Sequence, residues 1–332
     1  NRMIKNKHKI GFSFNFANAG PSNFLKQLKT AISKNKISKT SFFINPFTDI
    51  NLYSNTVRNP WNRPYVYRVD GIGHDKSKSE DYLTTVNDEI VEGINNAVGV
   101  VFQSEFSKKL VENILDVIPK KSKVIINGTD LNKFNPNGAN LRSQFEIPDN
   151  ALVFITSAKW RPRKRLNAMI NVFLKFQESY TEEIYFIIVG SSMVVDKNKN
   201  IIHVPKVENE LLPQYLRTAN IYLFFGWLDP CPNSVVEAIA CGLPVIGTNT
   251  GGTQEIIKAT NGGIVVDADK NYDFKFINLQ EPPKPDYEKI IKAMSQMVED
   301  LEIYKNQIDT TKIDINYVAA SYYSFIEGCY EK

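Results

Sequence analysis

The residues best suited to chemistry lie in one stretch of the sequence, "DPCPNSVVEAIACGLPVIGTNTGGT", at positions 229–253. Its pattern predicts a short helix from Ser234, followed by a buried strand and a glycine turn. Asp229 precedes this helix and Glu237 lies within it, so we expect both carboxylates near the start of the helix. The first amide groups of a helix have no acceptor within the helix, and they attract anions. Two carboxylates beside such amides suit a ligand that carries both hydroxyl and phosphate groups.

A second group of charged residues occupies "SAKWRPRKRL", at positions 157–166, where a predicted strand runs into a helix. Three arginines, a residue type that is scarce in this chain, alternate here with lysines. A guanidinium group is planar and permanently charged, and it can bind two phosphate oxygens at once. The cluster therefore predicts a diphosphate site, with a solvated basic turn as the alternative. Its basic residues are Lys159, Arg161, Arg163, Lys164 and Arg165.

The elements that must position these residues alternate between strand and helix patterns along the whole chain. Such alternation is typical of parallel sheets with crossover helices. A polar stretch rich in Asn, Pro and Gly, at 128–150, divides the pattern into two halves. The sequence thus predicts an α/β protein with two Rossmann-like domains. Ligands in such folds bind at the carboxyl ends of the strands, and we expect the site in the cleft between the domains.

The composition argues against several other classes of protein. The chain has 332 residues, of which 42% are hydrophobic and 23% charged, as in an ordinary globular protein. Its net charge of +4 is spread along the chain, so we expect no nucleic-acid partner. Three cysteines without a paired spacing favour a reducing compartment, and no apolar run approaches the roughly 20 residues of a membrane span. We therefore expect a cytoplasmic protein.

The stretch from Asp229 resembles the retaining glycosyltransferases of the GT-B fold, in family 4, also known as glycosyl transferases group 1. Their hallmark is an acid, seven residues and a Glu, followed by an Ala-Cys-Gly-x-Pro-Val run and Gly-Gly. This sequence has Asp229, seven residues, Glu237 and then "AIACGLPVIGTNTGGT". It departs from the pattern in having Asp where Glu is commoner, and "PCPNS" where many members have a Gly-Phe-Gly core. The alternative is a helix with two solvated acids before a core strand.

The resemblance extends along most of the chain and is weakest in the first domain. "VIINGTDLNKFNP" (124–136) resembles the family's entry into the interdomain linker, and "NYVAASYYSFIEGCYE" (316–331) resembles its last helices, which return to the first domain. The implied architecture has two Rossmann-like domains facing each other across a cleft. We predict an acceptor-binding domain at 1–135, a linker at 136–150, a nucleotide-sugar-binding domain at 151–314, and a terminal helix at 315–332 that packs on the first domain.

The resemblance implies roles for residues of the second domain. Lys159 stands at the family's Arg and Lys164 at its Lys in the phosphate loop, with Arg161 as a further candidate, so these cations are expected to hold the diphosphate. Glu237 is expected to accept hydrogen bonds from the ribose hydroxyls, and Asp229 to orient the transferred sugar. Further donor contacts are implied for the helix start and the base pocket, at Asn233, Ser234, Val235, Lys206 and Val207.

Three features of the first half are also candidates. Gly20 lies in "NFANAGPSNFL" (15–25), which corresponds to the family's glycine loop and lets the backbone approach a phosphate or sugar. A plain tight turn explains this loop equally well. Asp70 follows the strand predicted at 65–69. Many members of the resembled family have a His near this point that contacts the transferred sugar, so the resemblance implies this role for Asp70 or His74, with a strand-end cap as the alternative. Lysines around an apolar stripe on the first helix predict peripheral membrane contact, with a solvated face as the alternative.

The sequence thus predicts a retaining hexosyl- or related transferase that moves a sugar from a nucleoside diphosphate to a hydroxyl of a glycan, lipid or other acceptor. UDP is expected from its frequency in the family, and GDP is the alternative. No cofactor or metal is expected: "DAD" (267–269) matches a metal motif of the other glycosyltransferase fold, but we interpret it as a surface turn. Two other functions stay open: a nucleotide-sugar epimerase of the same architecture, and a non-catalytic nucleotide-binding partner of a larger assembly.

Overall fold

The computed structural model divides the chain into two compact units, each formed by segments that are distant in sequence. The first unit comprises Asn1–Asp130, Asp273–Asn278 and Lys312–Lys332, and the second comprises Leu131–Tyr272 and Leu279–Thr311. The last helix therefore belongs to the same unit as the start of the chain. The structure describes residues 8–13, 20–35, 37–41, 44, 46–54, 56–191 and 198–330.

In the described residues the first unit is built on six parallel strands: β1 (Lys9–Phe12), β2 (Lys39–Ser41), β3 (Ile50–Ser54), β4 (Tyr65–Val69), β5 (Gly99–Phe102) and β6 (Ser122–Val124). Their order is β2-β1-β3-β4-β5-β6, which is that of a doubly wound sheet. β3 and β4 are buried along their whole length. Central strands that are covered on both faces need such continuous burial, which explains why neither strand alternates polar with apolar residues.

Helices pack on this sheet through two apolar clusters. In one cluster, Phe24 and Leu28 contact the terminal helix (Ile315–Tyr330), and the rings of Phe24 and Tyr322 lie 6.0 Å apart. The apolar stripe of the first helix, formed by Phe24, Leu25, Leu28 and Ile32, is therefore buried inside the unit. The other helices of this unit cover the second cluster or flank it. In chain order the helices before the boundary are α1 (Gly20–Lys34), α2 (Glu80–Asn96) and α3 (Glu105–Ile114).

The second unit has its own parallel sheet in the described residues: β7 (Leu152–Ser157), β8 (Ile184–Val189), β9 (Ile201–Val204), β10 (Ile221–Phe224), β11 (Val245–Thr248) and β12 (Gly263–Val266). The strand order is β12-β11-β10-β7-β8-β9, the order of a dinucleotide-binding Rossmann sheet. From β7 the chain adds two strands on one side and then returns to add three on the other. The loops after β7 and β10 therefore leave neighbouring strands in opposite directions.

Six helices among the described residues accompany this sheet: α4 (Leu166–Ser179), α5 (Leu212–Thr218), α6 (Asn233–Ala240), α7 (Thr253–Thr260), α8 (Tyr287–Glu299) and α9 (Leu301–Asn306). The apolar faces of α4 and α8 form one core with the sheet, in which Phe154 and Phe173 meet edge to face with centroids 6.1 Å apart. Short 3-10 turns occupy Ser143–Phe145, Pro162–Lys164 and Thr311–Ile313. Two Rossmann-like parallel sheets, as the alternation predicted, are therefore confirmed.

Within the part of the chain that the structure describes, each helix is too short or too polar to cross a membrane.

Candidate functional site

The residues of the second unit that were predicted to bind the diphosphate and the sugar follow the carboxyl ends of β7 and β10. Lys164 closes the 3-10 turn that follows β7, and Asp229 follows β10. These two strands pair directly, and they form the point at which the strand order reverses. A parallel α/β sheet opens a crevice at such a point, because its connecting loops diverge there. The fold thus brings together two residues that are 65 positions apart in sequence.

Lys164 and Asp229 form a largely buried ion pair. The Lys164 Nζ lies 2.5 Å from Asp229 Oδ2, and their side chains are 15% and 11% exposed. The other carboxylate oxygen, Oδ1, accepts the backbone N–H of Cys231 at 3.2 Å. Burial by itself raises the pKa of Asp229, but Lys164 and Arg163 outweigh it and hold this pKa below its ordinary value. Asp229 is therefore a carboxylate at neutral pH.

The glycine turn after β11 fixes the backbone of Asp229. The Gly252 N–H donates to the Asp229 carbonyl oxygen at 2.8 Å. Gly251 has a φ of +65°, and a Cβ atom there would overlap the Asp229 backbone. On the other side, the Trp227 N–H donates to the Arg163 carbonyl oxygen at 2.8 Å. The Gly-Gly element of the motif therefore holds the acid in place, which the sequence pattern alone did not explain.

Glu237 projects from α6 and is only partly exposed. Burial raises the pKa of Glu237 to about 7, while the Asn209 side chain and the charge of Lys133 act in the opposite direction. The Asn209 Nδ2 donates to Glu237 Oε1 at 3.4 Å, and the Lys133 Nζ donates to Asn209 Oδ1 at 2.6 Å. The sequence analysis named neither Lys133 nor Asn209. Their signals were slight, since Lys133 is one lysine in the linker-entry motif and Asn209 follows the predicted base pocket.

The start of α6 carries the backbone positions that the sequence singled out. Asn233 and Ser234 are the first two residues of the helix. The Val235 N–H already donates to the Pro232 carbonyl oxygen at 3.1 Å, and its side chain is fully buried. Tyr222 of β10 links this region to β7, because its hydroxyl forms hydrogen bonds with the side chain of Ser234 and with the backbone of Ser157. The helix start is thus anchored to the same strand ends that carry Lys164 and Asp229.

The residues of the basic cluster differ in their exposure to solvent. Lys159 and Arg161 are exposed in the loop after β7. Arg165, in contrast, is 5% exposed and holds Asp269 with two hydrogen bonds, of 2.8 and 2.9 Å. The prediction that "DAD" forms a surface turn is therefore wrong for Asp269, which is 8% exposed. Arg165 has a φ of +55° at the start of α4, where this pair fixes the loop rather than a phosphate.

The predicted base-pocket residues lie in the loop between β9 and α5. Lys206 is exposed and Val207 is half-exposed. Asn209 follows two residues later and makes the contact to Glu237 described above. This loop therefore approaches the candidate ribose-binding carboxylate through Asn209.

Asp70 lies in the first unit, directly after β4, in a network of polar side chains. Its carboxylate accepts hydrogen bonds from Arg68, Ser54 and Gln103. Arg68 is fully buried and also donates to Asn127 at 3.0 Å. Most of the hydrogen-bonding capacity of Asp70 is thus used inside its own unit.

The other candidates of the first unit are His74 and Gly20. His74 is buried, with its Nδ1 3.2 Å from the Ile72 carbonyl oxygen. Gly20 begins α1, but residues 15–19 of the predicted glycine loop lie outside the described part of the chain.

The sequence has recognisable relatives. Residues 138–275 match the sequence profile described as Glycosyl transferases group 1. The chain is 24% identical over 257 residues to an uncharacterised glycosyltransferase of Methanocaldococcus jannaschii. That match covers 69% of this chain and 63% of the relative, so the chain spans less than two thirds of this curated relative.

Solved structures share the whole fold. Sucrose-phosphate synthase from Thermosynechococcus elongatus superposes with a TM-score of 0.66 at 15% identity, covering 98% of this chain and 96% of that one. HepE from Anabaena, solved in complex with UDP-glucose, gives a TM-score of 0.59 at 16% identity and covers 96% and 95% of the two chains. The chain therefore has the GT-B fold that its resemblance to that group predicted.

Proposed function

We propose that this protein is a glycosyltransferase with a nucleoside diphosphate sugar as its donor, because residues 138–275 match the sequence profile of the glycosyl transferases group 1. The observation that carries the proposal is the buried Lys164–Asp229 pair at the reversal point of the second sheet. A cation and an acid held there can receive two adjoining parts of such a donor, the diphosphate and the sugar. Glu237, on the helix that follows Asp229, supplies a third contact.

The diphosphate is bound by the cations of the loop after β7. The Lys164 ammonium group donates to the Asp229 carboxylate, and a diphosphate competes for the same ammonium group. Lys159 and Arg161 are exposed in the same loop and add charge at its rim. These groups stabilise the negative charge that develops on the leaving diphosphate, so the proposal requires no metal or cofactor.

The sugar and the nucleoside are bound on the side of α6. Once the diphosphate engages Lys164, Asp229 accepts hydrogen bonds from hydroxyls of the transferred sugar, and the amides at the start of α6 assist. Glu237 accepts the ribose hydroxyls, and the loop with Lys206 and Val207 contacts the base. UDP is the proposed nucleotide, and HepE, a protein of similar fold, was solved with UDP-glucose. GDP is the alternative that the experiment must include.

The reaction proceeds with retention of configuration at the sugar. The bond between the anomeric carbon and the phosphate oxygen breaks, and the acceptor oxygen forms a new bond on the same face. The acceptor proton passes to the leaving phosphate oxygen, so no protein nucleophile is needed. The acceptor is a hydroxyl of a glycan or lipid. A role of Asp70 at the sugar stays a prediction, since three side chains already donate to its carboxylate.

The test is the release of nucleoside diphosphate from UDP- and GDP-sugars in the presence of candidate acceptors. We expect release to depend on acceptor and to fall by about 100-fold or more in Asp229→Asn and Lys164→Met, as for the loss of a transition-state contact. Lys175→Met is the matched control, because Lys175 is an exposed lysine of the same unit that pairs with Glu288 at 3.6 Å. Conversion of the donor sugar without transfer would favour an epimerase. Binding without turnover for any acceptor would favour a non-catalytic partner.

A further inference from the structure

We propose that Lys133 and Asn209 act as positioning residues that orient the Glu237 carboxylate toward the ribose hydroxyls of the donor. The inference rests on the proposed function and concerns its nucleoside end. It assigns a task to two side chains outside the sequence motif that contains Glu237. Both belong to the second unit, and they lie 76 residues apart in sequence.

The three side chains form a chain of hydrogen bonds with one direction. The Lys133 Nζ donates to Asn209 Oδ1 at 2.6 Å, which fixes the orientation of the Asn209 amide. The amide then presents its Nδ2 to Glu237 Oε1, at 3.4 Å. An ammonium group can only donate, so Lys133 dictates which end of the amide faces Glu237. With Oε1 held in this way, Oε2 is the oxygen left to accept a ligand hydroxyl.

The surroundings of Glu237 make this support necessary. Tyr222 and Cys241 also face Glu237, and neither offers it a positive charge at neutral pH. Lys133 is the cation that lowers the pKa of Glu237. Its Nζ also pairs with Oε1 of the exposed Glu210, at 3.1 Å. A carboxylate accepts two ribose hydroxyls well, whereas its protonated form has lost part of that accepting capacity. Lys133 and Asn209 therefore favour the form of Glu237 that binds donor.

A pH dependence follows with a definite sign. The pKa of Glu237 is about 7, so donor affinity should fall as the pH drops through this value. Asn209 and Lys133 both act to lower that pKa. Removing either should therefore move the fall in affinity to higher pH. A residue with only a structural role would weaken binding equally across the pH range.

The experiment measures the Kd of a UDP-sugar by calorimetry from pH 6 to pH 9. The variants are Asn209→Ala and Lys133→Met. Lys133→Arg is the conservative substitution, because it keeps a positively charged hydrogen-bond donor at this position. Asn171→Ala and Lys175→Met are the matched controls, since both residues are exposed on α4. A 2′,3′-dideoxy analogue of the same donor serves as the ligand control, because it has no ribose hydroxyls for Glu237.

We expect Asn209→Ala and Lys133→Met to bind about tenfold more weakly at pH 7 and to approach wild-type affinity at pH 9. Lys133→Arg should restore most of the affinity, and the analogue should show neither the pH dependence nor the mutational loss. If the wild type binds donor and both variants show the wild-type dependence of Kd on pH, the positioning role is wrong but the proposed function stands. A wild-type protein that binds no nucleotide at any pH would overturn the proposed function as well.

Discussion

At the scale of single residues, the pKa values of the two acids of the motif are shifted in opposite directions. Burial raises the pKa of Glu237 to about 7, whereas Lys164 and Arg163 overcome burial and lower the pKa of Asp229. A carboxyl group with a raised pKa opposes folding when it is ionised, and one with a lowered pKa favours it. The ionised Glu237 therefore lowers the free energy of unfolding, as expected of a residue kept for binding.

Neutralising Glu237 should stabilise the protein without ligand. Its pKa rises from 4.5 in the unfolded chain to about 7 in the folded one, so stability is lost as the pH rises through this window. Glu237→Gln removes that loss, and we expect a gain of about 1–3 kcal/mol at pH 8 that vanishes near pH 4.5. Thermal unfolding of both proteins at the two pH values measures it. A gain that is equal at pH 8 and pH 4.5, or a loss at pH 8, would contradict the raised pKa.

At the scale of elements, the turn after β11 links the glycine motif to the acid. Gly251→Ala places a methyl group at a φ of +65° against the Asp229 backbone, so it should cost about 1–2 kcal/mol and displace the acid. Gly242→Ala is the matched control, because Gly242 has a φ of +78° but its Cβ would meet only the Pro136 side chain, at 3.2 Å. We expect both variants to lose stability and only Gly251→Ala to lose donor affinity, by tenfold or more. Equal affinities in the two variants would show that the turn does not position Asp229.

The alternation of strands and helices and the Asp229–Glu237 spacing were readable from the sequence because they are local patterns. The Arg165–Asp269 pair was not, since it joins residues 104 positions apart that each look like part of a surface motif. The same holds for Lys133 and Asn209, whose partnership arises only when the linker-entry segment meets the loop before α5. Side-chain pairing across a folded sheet depends on strand order, and no local pattern records which loops that order brings together.

At the scale of the whole molecule, each unit has the strand order of a nucleotide-binding or doubly wound sheet. In the second unit, the candidate residues lie where that order predicts a ligand, at the reversal between β7 and β10. The terminal helix belongs to the first unit, where it shares an apolar cluster with the first helix and the sheet. The central claim is that the second unit binds a nucleoside diphosphate sugar through Glu237.

The measurement that tests this claim most directly is thermal unfolding with a panel of UDP, GDP and their sugars, on wild type and Glu237→Gln. A ligand at 100 times its Kd should stabilise the wild type by about 2.7 kcal/mol. We predict that one nucleotide series raises the melting temperature of the wild type, and that Glu237→Gln loses this ligand-dependent rise despite its higher starting stability. If no nucleotide shifts the wild type, or if the variant responds as the wild type does, the assignment of the donor site is wrong.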